Sequence, residues 1–284
     1  MAESADVVVR RGPDRGGAGE RFRPYRMVMK AQLRAQLSYR ASFSIEVVGG
    51  MIMTGLDLAT VLVVFNVTSV LGGFSFRDAF LMSAVANLSF AAGDQLVGSI
   101  DDMRVQIRTG QLDALLVRPL GLLRQLVSTD FQLRRIGRVV QGIVVLAVAV
   151  GLAHVVWSPA NVALVALTAI AGTAFFAAFL VMAGTLSFWW IDSTEFGAGF
   201  TYGGRNFTLY PMTVYGEVFR YLFAYGLGFA FVAYYPVLTL LHRPDPLGLP
   251  TWTGWLTPLV SVGVCGVGAY VWRTGVRHYR STGS

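Results

Sequence analysis

The sequence predicts an all-α integral membrane protein: six transmembrane helices, preceded by a cytoplasmic amphipathic helix lying on the membrane surface. Three observations predict it. Only 14% of the 284 residues are charged and 54% are hydrophobic, against roughly 25% charged in an ordinary soluble domain. Mean hydropathy is +0.56. The apolar residues are gathered into six runs, each near the roughly 20 residues that a helix needs to cross hydrocarbon.

Residues 1–23 are rich in Gly and Arg and nearly lack large apolar side chains. They read as a disordered cytoplasmic tail. The first apolar run begins only near Phe43, too late for a secretory signal. Residues 24–42 have a different character. Pro24 suits the first turn of a helix, and Arg26, Lys30 and Arg34 recur at i, i+4 and i+8 beside Met27, Leu33 and Leu37. That spacing predicts a basic amphipathic helix in the headgroup plane, with those three cations on the membrane surface. An ordinary solvated helix is the alternative reading.

A membrane domain is expected over 43–275, with a cytoplasmic tail at 276–284. Its predicted spans are 43–65, 79–100, 139–157, 162–190, 218–241 and 255–272. The fourth exceeds the required length, so it tilts or runs into the interface. The fifth holds Arg220 near its start and Pro236 near its end, which makes it the least regular.

Positive charge sets the orientation. Nine cations precede the first span, from Arg10 to Arg40, and Lys30 is the one lysine in the chain. The loop between spans one and two has only Arg77. The loop between two and three has seven cations, counting Arg138 at its edge, and the C-terminal tail has Arg273, Arg277 and Arg280. Both termini and the segment after span two are therefore expected in the cytoplasm. The formal charge of +7 sits on span flanks, where anionic lipid is the expected partner rather than nucleic acid.

Several chemistries have no motif. The single cysteine, Cys265, has no internal disulfide partner and no neighbouring ligand cluster. There is no G-x-x-x-x-G-K-[ST] loop for nucleotide phosphates, no H-E-x-x-H and no G-x-S-x-G. An enzyme on this chain is not expected, nor a cofactor or a metal.

Three carboxylates stand inside predicted spans: Glu46 near the inner end of the first, Asp57 deep in the same span and Asp94 in the inner half of the second. Charge in hydrocarbon is costly, so such groups face protein or water. They read either as a polar lining of a substrate path or as structural pairs with a neighbouring helix.

The long polar interruption is 101–120. Asp101 and Asp102 favour a helix N-terminus. Thr109-Gly110 breaks that helix. Residues 111–117 form a short amphipathic turn, with Leu112, Leu115 and Leu116 on one side and Asp113 facing away, and Pro119 ends it. A short cytoplasmic helix with an apolar knob and charged flanks suits the groove of a soluble partner.

The run R-T-G-Q-L-D-A-L-L-V-R-P-L at 108–120 closely resembles the stretch after the second span in ABC-2 type permeases, in the subfamily with R-x-G-x-L-D-x-x-L-x-R-P. N-F-T-L-Y-P-M-T-V-Y-G-E-V-F-R and F-V-A-Y-Y-P-V-L-T-L-L-H-R-P-D-P also resemble that subfamily's fifth-span region, with Gly216 and Gly228 near points where it often has proline. The resemblance implies a six-span permease subunit in the bacterial plasma (inner) membrane, paired with a second permease, identical or related. It also implies separate nucleotide-binding ATPase subunits that carry the ATP and Mg, and export of a drug-, lipid- or glycan-like substrate. By position it implies that Arg104, Arg108, Thr109, Gly110, Leu112, Asp113, Leu116, Arg118 and Pro119 form the element that couples to the ATPase. Two other readings stay open on the residues alone. One is a secondary proton-coupled transporter using Asp57 and Asp94. The other is a membrane scaffold that transports nothing.

Overall fold

The computed structural model describes residues 40–118, 121–129, 133–190 and 194–279. The expected tail at 1–23, the surface helix with Arg26, Lys30 and Arg34, and Pro119 lie outside the described residues, as does the Asp57 side chain. Among the described residues the chain is helical throughout, with one isolated antiparallel bridge, Leu71 to Phe74.

Helix α1 covers Arg40–Val67 and α2 covers Phe76–Val97. Asp78 fixes the start of α2 by accepting from the Ser75 backbone N–H at 3.1 Å and the Ser75 hydroxyl at 2.8 Å, which satisfies a donor that the first helical turn leaves free. Past α2 the chain tightens into a 3₁₀ turn, Gly98–Asp102, and goes on as α3, Met103–Arg108. The short α4, Gln111–Leu116, and α5, Leu122–Thr129, follow. Helix α6 is Leu133–Leu152 and α7 is Pro159–Thr185. Ser158 caps α7, its Oγ accepting from the Asn161 N–H at 3.1 Å, with Pro159 in the first turn. Helix α8 is Thr194–Thr208. Two bent segments, α9 (Glu217–Gly226) and α10 (Phe229–Leu240), come next. The last helix, α11, is Thr257–His278.

Among the described residues, four helical stretches are long and apolar enough to cross a membrane: Phe76–Arg108, Arg135–Leu152, Pro159–Phe188 and Thr251–His278. The α9–α10 pair raises the number to five if it is counted as one broken span. Helix α1, at 28 residues, runs about 42 Å.

Helix α7 lies at the centre, with α2, α8 and α11 packed along it. Small residues set the close approach that apolar surroundings favour. A Cβ on Gly93 of α2 would meet Phe176 Cβ and the Ala177 N at 3.0 Å. Among the described residues, three buried clusters run along the bundle from end to end. The one nearest the Gly72–Gly73 turn, here the distal end, joins Phe74, Leu81, Tyr234 and Tyr235. The middle one joins Phe90, Phe175, Phe176, Phe179 and Phe229. The one nearest α3 and α4, the proximal end, joins Ile100, Met103, Ile107, Leu112, Leu126 and Val181.

The expected fifth span, 218–241, does not form one helix. Its two arms bend by 66° at Gly228, which has a φ of +83°, a region open to glycine at little cost. The contacts show why a straight crossing fails. Residue 219 stacks on Tyr215 and Phe207, and Thr213 Oγ1 donates to the Gly72 carbonyl at 2.6 Å, at the distal end. Phe229 at the bend packs on Phe175 and Phe179 in the middle cluster. Arg243, just past α10, is back at the distal end, where it pairs with Asp78. The pair therefore dips to mid-height and returns. Helix α8 takes the other course. Gly197 packs on Ala183 near the proximal end of α7, and the Leu209 carbonyl accepts from Ser83 Oγ at 2.6 Å nearer the distal end.

Candidate functional site

The proximal end collects most of the expected site residues. Helices α3 and α4 meet at Gly110, whose φ is +68°. Thr109 closes α3 by donating its Oγ1 to the Val105 carbonyl at 2.8 Å. The Gly110 N–H donates to the Ile107 carbonyl at 3.2 Å, and the Gly110 carbonyl accepts from the Asp113 N–H at 3.2 Å. The joint is thus a hydrogen-bonded corner rather than a slack loop.

The expected coupling residues divide between two faces. Leu112 is 0% exposed and sits with Ile107, Leu122 and Leu126, with Leu115, Phe188 and Tyr279 packed alongside. Leu116 is 41% and Val117 87% exposed, and Arg108, Thr109 and Arg118 are exposed beside them. Arg104 is half-buried. The three leucines therefore do not share one side. A side chain four residues on from Leu112 drifts about 40° around the helix, which carries Leu116 to the rim. Leu112 anchors α4 to its own chain, and Leu116 and Val117 make the outward apolar surface.

Asp113 differs from its expected direction. It is half-buried, and its Oδ1 accepts from the Tyr279 hydroxyl at 2.9 Å. The Tyr279 ring packs edge-on against Phe188, which in turn meets Trp272. Burial first, and then the bond to Asp113, pushes the Tyr279 hydroxyl up to about 12, so it stays protonated and donates at neutral pH. This ties α4 to the last turn of α11 and to the end of α7. Two further bonds tie the neighbouring α5 in: Gln125 Nε2 to the Leu115 carbonyl at 3.0 Å and Ser99 Oγ to the Leu126 carbonyl at 3.2 Å.

A second polar group lies deeper. Asp94 of α2 is 2% exposed. Its Oδ2 pairs with Arg138 Nη2 at 2.6 Å and Arg135 Nε at 3.6 Å. Arg135 also donates Nη1 to the Asp94 carbonyl at 3.1 Å. Arg135 lies so close over Gly98 that a Cβ there would collide with the guanidinium. Nearby, Arg205 of α8 donates to Asn87 Oδ1 at 2.6 Å and stands over the Phe90 ring at 5.1 Å. Tyr202 of the same helix reaches Asp101 at 3.3 Å. Asp94 is therefore held in an interhelical ion pair, with the partners a buried carboxylate needs.

Among the described residues no group of His, Cys, Asp and Glu is arranged to hold a metal. Reasoning from sequence missed Tyr279, Tyr202 and Arg205. Arg135 and Arg138 carried a usable signal: two arginines three apart, on one helix face, at the start of the span after the one that holds Asp94. Tyr279 carried none, because its partner is 166 positions away.

Residues 51–283 match a family model described as "ABC-2 family transporter protein". Neither the curated proteins nor the solved structures contain a match.

Proposed function

Because the chain belongs to the ABC-2 transporter family, and so is the membrane permease part of an ATP-binding cassette transporter, we propose that it exports an amphipathic, drug-, lipid- or glycan-like substrate. Separate ATPase subunits, which hold the ATP and Mg, drive it through the 104–120 segment. It works beside a second permease, identical or related, in the bacterial inner membrane.

The observation that carries this reading is the outward rim of α4. Leu116 and Val117 stand exposed on a turn whose other face is anchored by Leu112 and Asp113. A partner that pushes on this rim moves a rigid corner, not a loose loop. The proximal end is then the cytoplasmic end, in line with the seven cations between spans two and three. Six crossings follow as α1, α2, α6, α7, α8 and α11, with both termini in the cytoplasm and the surface helix before α1. Helix α8 is only 15 residues, about 22 Å, and 209–216 completes its passage. Its polar Arg205 faces Asn87 of α2 and its Tyr202 faces Asp101 in the turn after α2, as intramembrane polar groups should face protein.

The interhelical pairing of Asp94 with two arginines weighs against a proton relay through it. The test is co-purification with a P-loop ATPase. Leu116→Asp with Val117→Asp should abolish that association and leave the fold intact. Undiminished association and substrate-stimulated ATPase activity in this variant would refute the coupling role.

A further inference from the structure

An apolar cavity of about 510 Å³ lies between α7, α8 and α11, under the bend of the α9–α10 pair. Its walls are Phe179 and Met182 of α7, Phe196 and Phe200 of α8, and Gly263 and Val267 of α11. We propose that this cavity binds one hydrocarbon chain of a phospholipid from the cytoplasmic leaflet. The leaflet assignment rests on the orientation given above, and the binding itself does not depend on transport.

Four features point to that occupant. The first is height. On α11 the lining runs from Val260 to Val271, about 16 Å of helix, close to half of a 30 Å hydrocarbon core. On α7 every lining residue lies in the proximal half of the helix. The second is the ceiling. Gly228, at the bend, approaches Val260 and Phe175, so the tip closes the groove near mid-height. A helix from a second copy would need the full height and would strike that tip. A single acyl chain of one leaflet would not.

The third feature is the opening. Phe196 is 58% and Val267 56% exposed, one on each side of the mouth, so a chain enters sideways from the bilayer. The fourth is the proximal rim. Trp190 leans on Phe196 and Trp189 on His278, and both tryptophans are exposed. Aromatic side chains of this kind settle at headgroup level. Arg277 and His278 fill the last turn of α11 at the same level, where they suit the phosphate of an anionic lipid. Gly263 leaves the groove floor bare, with nothing within 4 Å of the place a Cβ would occupy.

The test is photolabelling of the purified full chain in vesicles of phosphatidylethanolamine and phosphatidylglycerol. One probe is a phosphatidylglycerol with a diazirine at the end of its chain, and the other carries the diazirine near the carboxyl. The chain-end probe should label near Leu227 and Val260, and the other near Phe196 and Val271. Gly263→Phe fills the groove and should cut both about tenfold, the equivalent of ~1.4 kcal/mol. Gly266→Phe is the matched control. It also has open space at its Cβ but lies outside the lining, so it should leave labelling unchanged. Labelling that ignores depth, or that Gly263→Phe leaves intact, overturns the proposal. So does a crosslink between two copies through Val267→Cys. No ATPase is present, so loss of the ATPase partner in a separate experiment would refute the transport reading and leave this one standing.

Discussion

Replacing Gly110 by proline should detach α4 from the bundle. Gly110 sits at a φ of +68°, and proline fixes φ near −65°, so the backbone must rotate by about 130°. The Gly110 N–H bond to Ile107 is lost with the proton, at roughly 1 kcal/mol. The rotation also swings Leu112 out of its buried site, at roughly 2 kcal/mol for a leucine side chain. The sum is about 3 kcal/mol of local destabilisation, or a hundredfold or so in an opening equilibrium. Gly110→Ala separates strain from detachment. A Cβ there meets nothing within 4 Å, so the cost is the left-handed conformation alone, roughly 1 kcal/mol. The assay is hydrogen exchange on the amides of 111–117. Protection should fall several-fold for alanine and about a hundredfold for proline. If the proline variant keeps full protection, α4 is not held at this corner. If protection is lost but transport per ATP hydrolysed is unchanged, α4 does not transmit the force.

Four further outcomes are expected. Asp94→Ala strands two arginines against a buried site and should cost about 3–5 kcal/mol, seen as a lower melting temperature in detergent; Asp94→Leu combined with Arg135→Met and Arg138→Met should recover most of it. Gly98→Ala places a methyl group where the Arg135 guanidinium lies and should weaken the same pair, lowering the melting temperature in its own right but adding little on top of Asp94→Ala, since interacting sites are not additive. Tyr279→Phe keeps the ring on Phe188 and removes one bond to a half-buried carboxylate, for a loss of about 1–2 kcal/mol measured by a double-mutant cycle with Asp113→Asn. Because the folded hydroxyl titrates at about 12, above the free value of about 10, that contribution should be whole below pH 10 and vanish as pH rises through 12, which spectrophotometric titration of Tyr279 can follow.

The helices that read clearly in the sequence are the ones whose side chains meet lipid or other helices along their whole length. The run 162–190 is apolar on all sides and long, and it became the central α7. Thr109-Gly110 marked a corner because only glycine takes that backbone angle without strain. The stretch 218–241 misled for a physical reason: apolarity reports burial, not direction, and a hairpin that dips into the bundle has the same composition as a crossing. Helix α8, a crossing in the proposed topology, drew no span reading from the sequence. Tyr202 and Arg205 look unfit for lipid, but they spend their polarity on Asn87, Phe90 and Asp101. The inward turn of Asp113 depends on Tyr279, and no local pattern encodes a contact across that separation.

The dipping α9–α10 pair also bears on how the protein is made. In the proposed topology, the membrane-insertion machinery meets a strongly apolar segment that must not cross and a polar one, α8, that must. Neither can settle on hydropathy alone. Helix α8 can enter once α2 is in place to receive Arg205 and Tyr202, and α10 can seat once Asp78 and the aromatic tier on α7 are there to hold it. Reporter fusions ending between 209 and 250 would then record an unfinished arrangement. Only reporters placed in the complete chain would give the true sidedness of that region.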